Sequence, residues 1–361
     1  MNKNADVTTS QQRQTLSVSR LKPGMKLVED VKTEYGGVLI PAGAILDEKK
    51  IAHINKNGVN YVTVQKQSED NRKANVEKVL EIEKSYKEIA QETEKLFDRA
   101  RQLRQINADK LVKMNYKISD LLDDNESKRE LIYLFNKIQD PDTYLYHHSV
   151  DVGILAGMFA DWLNRGENEK KQLIMAGFMH DIGKTKISRY LLEKEGSLNE
   201  EEFERVKTHA RAGYELMQDC AVVNKKVARG VLTHHERYDG SGYPLGLAGE
   251  KIPLFGRILA VADVYDAATS RTVYNEDESP FAVIKHLTKD NLKAFDVNLC
   301  EVFKDKMRGF YSDVEVKLSD GSLGEIVYIN PREPEKPIIR VRGELMDLYN
   351  SDLEIVEVIS D

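Results

Sequence analysis

The spacing of apolar positions changes several times along this chain, and each change marks a different kind of element. Residues 1–15, ending at Thr15, are almost wholly polar and read as a disordered tail. Residues 16–66 carry short β-rich runs cut by Pro23-Gly24, Gly36-Gly37, Pro41-Ala42-Gly43 and Asn57-Gly58, which predicts a small β-rich module. Over residues 67–129 Glu, Lys, Gln and Leu dominate, and neither Pro nor Gly occurs between Asn71 and Asp124. That pattern predicts long amphipathic helices, a linker or packing segment through which a homodimer could form. Residues 130–310 are mainly helical in pattern, interrupted by Gly- and Pro-bearing loops, and hold nearly all the candidate chemistry. Residues 311–361 return to strand patterns: a hairpin of Val314–Leu318 and Gly324–Ile329 about the turn Asp320-Gly321, then Pro337–Val341 and Leu353–Ile359. The expected fold class is mainly α, a helical catalytic domain flanked by small β-rich modules.

Charge narrows the partners. With 53 Lys+Arg against 60 Asp+Glu the formal charge is −7, which argues against general nucleic-acid binding. No apolar run reaches the roughly 20 residues of a membrane span and the polar start lacks a signal-peptide core, so the expected location is cytoplasmic. Cys220 and Cys300, with no CxxC pair, read as core thiols.

Six of the eight histidines fall between residues 147 and 235: His147, His148, His180, His209, His234 and His235. Several stand on apolar stripes of predicted helices. His148 begins the series Val152, Leu155, Phe159, and His180 ends Leu173, Ala176, Gly177, with Asp181 beside it. His209 lies in line with Val206, Gly213 and Leu216, His234 follows Val227 and Val231, and Asp263 lines up with Leu259, Ala260 and Ala267. Polar groups on buried faces are costly without partners, and a shared metal cluster supplies partners to all of them at once. Neutral imidazoles with bridging carboxylates suit Fe, Mn or similar ions. A lone histidine on an apolar face is more often a hydrogen-bonded core residue, and His53, His147 and His286 are read that way.

Two strings carry a family resemblance: His180-Asp181-Ile182-Gly183-Lys184, and the run from His234-His235-Glu236 through Asp239-Gly240-Ser241-Gly242-Tyr243-Pro244. Together they resemble the HD-GYP family of cyclic di-GMP phosphodiesterases, a branch of the HD-domain metal-dependent phosphohydrolases. His148-Ser149, Lys207-Thr208-His209 and the segment from Ala262-Asp263 to Ala267 follow in the family's order. The resemblance covers about residues 130–310 and implies an HD-type helical domain with two divalent ions per chain, Fe or Mn. Its ligands would be His148, His180, Asp181, His209, His234, His235 and Asp263, Asp181 bridging; which paired histidine serves which ion stays open. The implied reaction is hydrolysis of cyclic di-GMP to pGpG, and on to GMP, by a hydroxide that two metals activate. Asp181 and Lys184 would be catalytic, with Lys184, Arg271 and Tyr243 touching substrate. Gly240, Gly242 and Pro244 would shape a loop that could also meet protein partners.

The chain departs from the family pattern twice. Tyr144 stands where many members place a glutamate that helps hold a third metal, so two ions are expected rather than three. The usual TS-x-R-x-Y reads Thr269-Ser270-Arg271-Thr272-Val273-Tyr274, with the arginine displaced by one. That displacement leaves two other functions open: a cyclic-dinucleotide receptor without turnover, or hydrolysis of another nucleotide such as cyclic GMP-AMP. The flanking modules are either structural extensions or regulatory sites.

Overall fold

In the computed structural model, β1 (Arg13–Ser17), β2 (Val31–Lys32) and β3 (Val38–Ile40) precede a helix, α1 (Glu48–Lys56), and β4 (Tyr61–Gln65). The structure describes residues 13–33, 37–65, 69–137, 143–194, 196–270, 278–290, 293–311, 314–330 and 332–359. These fall into two compact units, one within Met1–Lys78 and Tyr311–Val314, the other within Val79–Phe310 and Glu315–Asp361. In the first, β1 pairs antiparallel with β4, Leu16 opposite Val62, and β2 pairs with β3. Val62 and Val64, alternate residues of β4, bury one face against Leu27, Leu46 and Ile54. The helix α1 is absent from the sequence reading. Asp47 starts it by accepting the Lys50 N–H at 2.8 Å, and Ile54 is its buried residue.

The second unit is helical in its larger part. From Val79 it holds the rest of α2 (Glu69–Leu103), then α3 (Ala108–Asp120) and α4 (Asn125–Lys137). Next come α5 (Tyr144–Trp162), α6 (Glu167–Phe178), a 3-10 turn (Ile182–Lys186), α7 (Arg189–Leu192) and α8 (Glu200–Gln218). α9 (Lys225–Thr233), α10 (Leu254–Thr269), α11 (Pro280–Lys285) and α12 (Val297–Phe310) follow. α5 is buried on every side from His148 to Ala160, as expected of a central helix rather than an amphipathic surface one. It packs on α6 and α10, and α10 packs in turn on α9. α8 is set by a capping box: Asn199 Oδ1 accepts the Glu202 N–H and Glu202 Oε2 accepts the Asn199 N–H, both at 2.9 Å.

The chain closes with β5 (Glu315–Leu318), β6 (Leu323–Tyr328), β7 (Ile338–Val341), β8 (Glu344–Asp347) and β9 (Ile355–Ile359), an antiparallel sheet ordered β8-β7-β6-β5-β9. β5 and β6 form the expected hairpin, Val316 opposite Gly324. β8 is an additional, largely exposed edge strand. The architecture is mainly α with small separate sheets toward the two ends of the chain. No helix among the described residues is long and apolar enough to cross a membrane.

Candidate metal centre

Five segments of the helical unit deliver side chains to one buried place. His148 comes from α5, His180 and Asp181 from the turn after α6, His209 from α8, His234 and His235 from the end of α9, and Asp263 from α10. The ligand-type atoms form two groups, Asp181 with His209, His234 and His235, and His148 with His180 and Asp263, each within 4.8 Å. The two carboxylates join the groups. Asp181 Oδ1 lies 3.3 Å from His209 Nε2, while Oδ2 lies 3.4 Å from His180 Nε2. Asp263 Oδ1 lies 3.1 Å from His148 Nε2, while Oδ2 lies 3.6 Å from His235 Nδ1.

The protonation of the rings tests whether a cation belongs here. His180 Nδ1 donates to Gly177 O at 2.7 Å, and His209 and His234 donate to Val206 O and Val231 O at 2.6 Å. A carbonyl oxygen only accepts, so in the neutral ring each Nε2 carries a lone pair. Two of those lone pairs meet: His209 Nε2 stands 3.3 Å from His234 Nε2, and His235 Nε2 lies 3.1 Å from His209 Nε2. Burial keeps His209, His234 and His235 neutral, lowering the pKa of His209, carrying that of His234 well below the ordinary value and pushing that of His235 down to about 3. Nitrogen lone pairs facing each other at these distances repel unless a cation lies between them. The donor set fits a divalent metal.

The carboxylates fit too. Burial works against ionising Asp181, but Lys184 and the neighbouring histidines hold it well below the usual carboxylate range. Asp263 overcomes burial in the same way, chiefly through His148. Asp181 receives no well-formed hydrogen bond at either oxygen, and Lys184 Nζ approaches Oδ2 at 2.6 Å as an ion pair. Buried carboxylate oxygens left open toward imidazole lone pairs are what a shared cation needs.

The turn that aims Asp181 has no room to shift. A Cβ on Gly183 would stand 1.9 Å from His209 O and 2.5 Å from Gly213 N, so only glycine lets this turn lie against α8. Lys184 follows within the turn, with its side chain about one quarter exposed. Tyr144 lies one turn before His148, its ring stacked on the imidazole at 5.5 Å, and burial raises its phenol pKa, leaving it neutral. The Tyr243 ring lies 4.7 Å from that of His235, with Lys207 Nζ 5.4 Å from its centroid. Glu236 braces the loop, accepting the Leu245 N–H at 2.7 Å and the Leu247 N–H at 2.9 Å. Gly240 has φ +86°, Gly242 passes where a Cβ would meet Arg237 N at 2.3 Å, and Pro244 follows Tyr243 through a cis peptide. Arg271 lies outside the described residues, as does Thr272.

Two residues of this neighbourhood escaped the sequence reading. Asp266, fully buried one turn beyond Asp263, accepts from His148 Nδ1 at 2.7 Å. With Asp263 it more than offsets the burial of His148 and raises that ring's pKa to about 10. Asp151, one turn along α5 from His148, accepts the Tyr86 O–H at 2.7 Å. A carboxylate behind a ligating histidine orients the ring and raises its basicity. Asp266→Asn should therefore weaken metal binding by roughly 10- to 100-fold while the chain stays folded. Chelator competition read beside circular dichroism checks this, and unchanged affinity would leave Asp266 a packing residue.

The chain resembles known proteins over part of its length. The HD domain family model matches residues 86–299. Cyclic di-GMP phosphodiesterase PA4108 of Pseudomonas aeruginosa is 34% identical over 205 residues, 57% of this chain and 49% of that protein. The cyclic di-GMP phosphodiesterase response regulator RpfG of Xanthomonas campestris is 43% identical over 145 residues, 39% of this chain and 38% of its own. A 3'3'-cGAMP-specific phosphodiesterase 2 of Vibrio cholerae is 30% identical over 187 residues, 51% of this chain and 36% of that protein. The matches thus span half or less of these relatives' length. Among solved structures, Bd1817, a HDG"Y"P protein from Bdellovibrio bacteriovorus, aligns with TM-score 0.51 over 82% of this chain and 99% of its own, at 16% identity. That likeness concerns the fold.

Proposed function

The chain belongs to the HD domain family, in its HD-GYP branch, and from that premise we propose that it hydrolyses cyclic di-GMP to pGpG, and on to GMP, with two divalent ions, Fe or Mn. The observation that carries the reading is the pair of carboxylates, Asp181 and Asp263, each turning one oxygen toward each histidine group. When bound, such ions supply Lewis-acid polarisation of a phosphoryl oxygen and a nucleophile drawn from water. The chain's own residues supply the rest. His148, His180 and Asp263 would hold one ion, and His209, His234 and His235 the other, with Asp181 reaching both. Lys184 keeps its proton, since the Asp181 ion pair outweighs the effect of burial, and its ammonium would meet a non-bridging phosphate oxygen. Tyr243 would border the substrate beside His235, and Arg271 would add a phosphate contact. No protein nucleophile is needed.

Incubating metal-loaded protein with cyclic di-GMP and identifying the products by chromatography tests this. Metal-dependent appearance of pGpG supports it. Tight binding without turnover would replace it with a receptor function. A second reading, hydrolysis of cyclic GMP-AMP, draws on the relative named as specific for 3'3'-cGAMP, and the same assay separates the two by relative kcat/KM.

The ion count follows from Tyr144. A neutral phenol stacked on His148 offers no charge to offset a third cation. Elemental analysis of the loaded protein should approach about two ions per chain; three well-occupied ions would overturn this count.

A further inference from the structure

A cleft of about 360 Å³ opens beside the metal centre, lined by Lys184, Leu191, Leu192, Lys194, Gly196, Leu198 and Val206. Part of the lining is tied to ligand-bearing segments. Lys184 lines the cleft with its stem while its ammonium sits on Asp181, and Val206 lines it while its carbonyl holds His209 Nδ1. The rest of the lining comes from Leu191 and Leu192 at the end of α7 and from Lys194, Gly196 and Leu198 before α8. Whatever lies in the cleft is therefore next to whatever the metal centre binds.

The chemistry of the lining is uneven. Leu192, Leu198 and Val206 give half-buried apolar surface, suited to a flat ring, and Lys194 is the second cation of the lining. Lys194 Nζ is paired with Glu202 Oε2 at 2.5 Å, and Glu202 is fixed by the capping box that starts α8. The ammonium is thus held in place by a carboxylate that the helix itself positions. Size sets the occupant: ligand pockets run from roughly 300 to 1,000 Å³, and this one stands near the lower bound, room for one nucleoside rather than a whole cyclic dinucleotide.

We propose that this cleft takes one purine nucleoside of the substrate, and that Lys194 makes it a guanine site. The proposal rests on the phosphodiesterase reading above for the identity of the substrate. A lysine ammonium only donates. Guanine offers two acceptors on one edge, O6 and N7, whereas adenine replaces O6 with an amino donor that would face the ammonium. The apolar walls hold the ring by its faces without telling the bases apart, so the choice falls to Lys194. With the base in the cleft, its attached phosphate reaches Lys184 and the metal centre.

The test uses GMP and AMP as binding probes and cyclic di-GMP and cyclic di-AMP as substrates, with the full chain, metal-loaded. Lys194→Met should lower the preference for GMP over AMP about tenfold in titration calorimetry, and lower the kcat/KM ratio of cyclic di-GMP to cyclic di-AMP by a similar factor. Leu198→Trp, which occupies the cleft, should weaken GMP and AMP alike. Melting curves of both variants verify that α8 is still formed. If Lys194→Met changes both nucleotides by the same factor, or Leu198→Trp leaves GMP affinity intact, the guanine site is wrong whatever the activity. If the wild type turns over neither cyclic dinucleotide yet prefers GMP and loses that preference in Lys194→Met, the site stands and the phosphodiesterase reading falls.

Discussion

Asp181→Ala should reduce metal-dependent turnover roughly a thousandfold, the effect of losing several kcal/mol of electrostatic stabilisation. The size follows from position. Asp181 turns one carboxylate oxygen toward His180 and His148 and the other toward His209, so the substitution removes a charge from both halves of the centre. It also strands Lys184, whose ammonium is paired with Oδ2 in a buried setting. Removing one imidazole would take a neutral donor from one half only. Steady-state rates with saturating Mn or Fe, read beside elemental analysis, distinguish the outcomes. A variant that binds less metal and turns over slowly fits a bridging carboxylate. Near wild-type hydrolysis would mean that the two groups do not work together.

The centre was legible because its cost was local. Histidines on apolar helix stripes, with Asp181 next to His180, announce buried polarity wherever the helices pack, and the seven side chains do converge. Asp266 gave no such signal. It lies on α10 beside an equally buried Asp263, and its partner His148 stands 118 residues away, a distance that no spacing rule spans. Asp151 and Tyr86 likewise meet across 65 residues. In the first unit α1 was hidden by its brevity: nine residues, mostly charged or polar, with Ile54 as their only buried side chain. β8 went unread for a related reason, since an exposed edge strand of Glu344, Leu345, Met346 and Asp347 needs no alternation of apolar and polar residues. The long helices α2 and α3, by contrast, follow from residues that favour helix and from the absence of Pro and Gly. What the sequence conveyed was periodicity and local cost; what it withheld were pairings between distant segments.

Lys184→Met should lower kcat by on the order of ten- to a thousand-fold, the range for removing one well-placed electrostatic donor, with little change in KM. The side chain is largely buried, its ammonium lies 2.6 Å from Asp181 Oδ2, and it is joined to the metal-ligand turn by the 3-10 segment that Gly183 keeps pressed on α8. It is therefore fixed before substrate arrives. A fixed positive charge speeds reaction only where it meets more negative charge in the transition state than in the bound ester. That condition holds for a phosphoryl oxygen, on which charge builds as the new bond forms. Methionine keeps the length and much of the packing, so the change isolates the charge. A structural role would show differently. If Lys184 served only to neutralise Asp181, the loaded protein, in which cations do that, should lose little rate, while the chelated protein should lose stability because a buried carboxylate is left unpaired. Comparing kcat, KM and melting temperature with and without chelator separates the two. A variant whose kcat is unchanged when loaded, and whose melting temperature falls only when stripped of metal, would move Lys184 out of the reaction and into the support of Asp181.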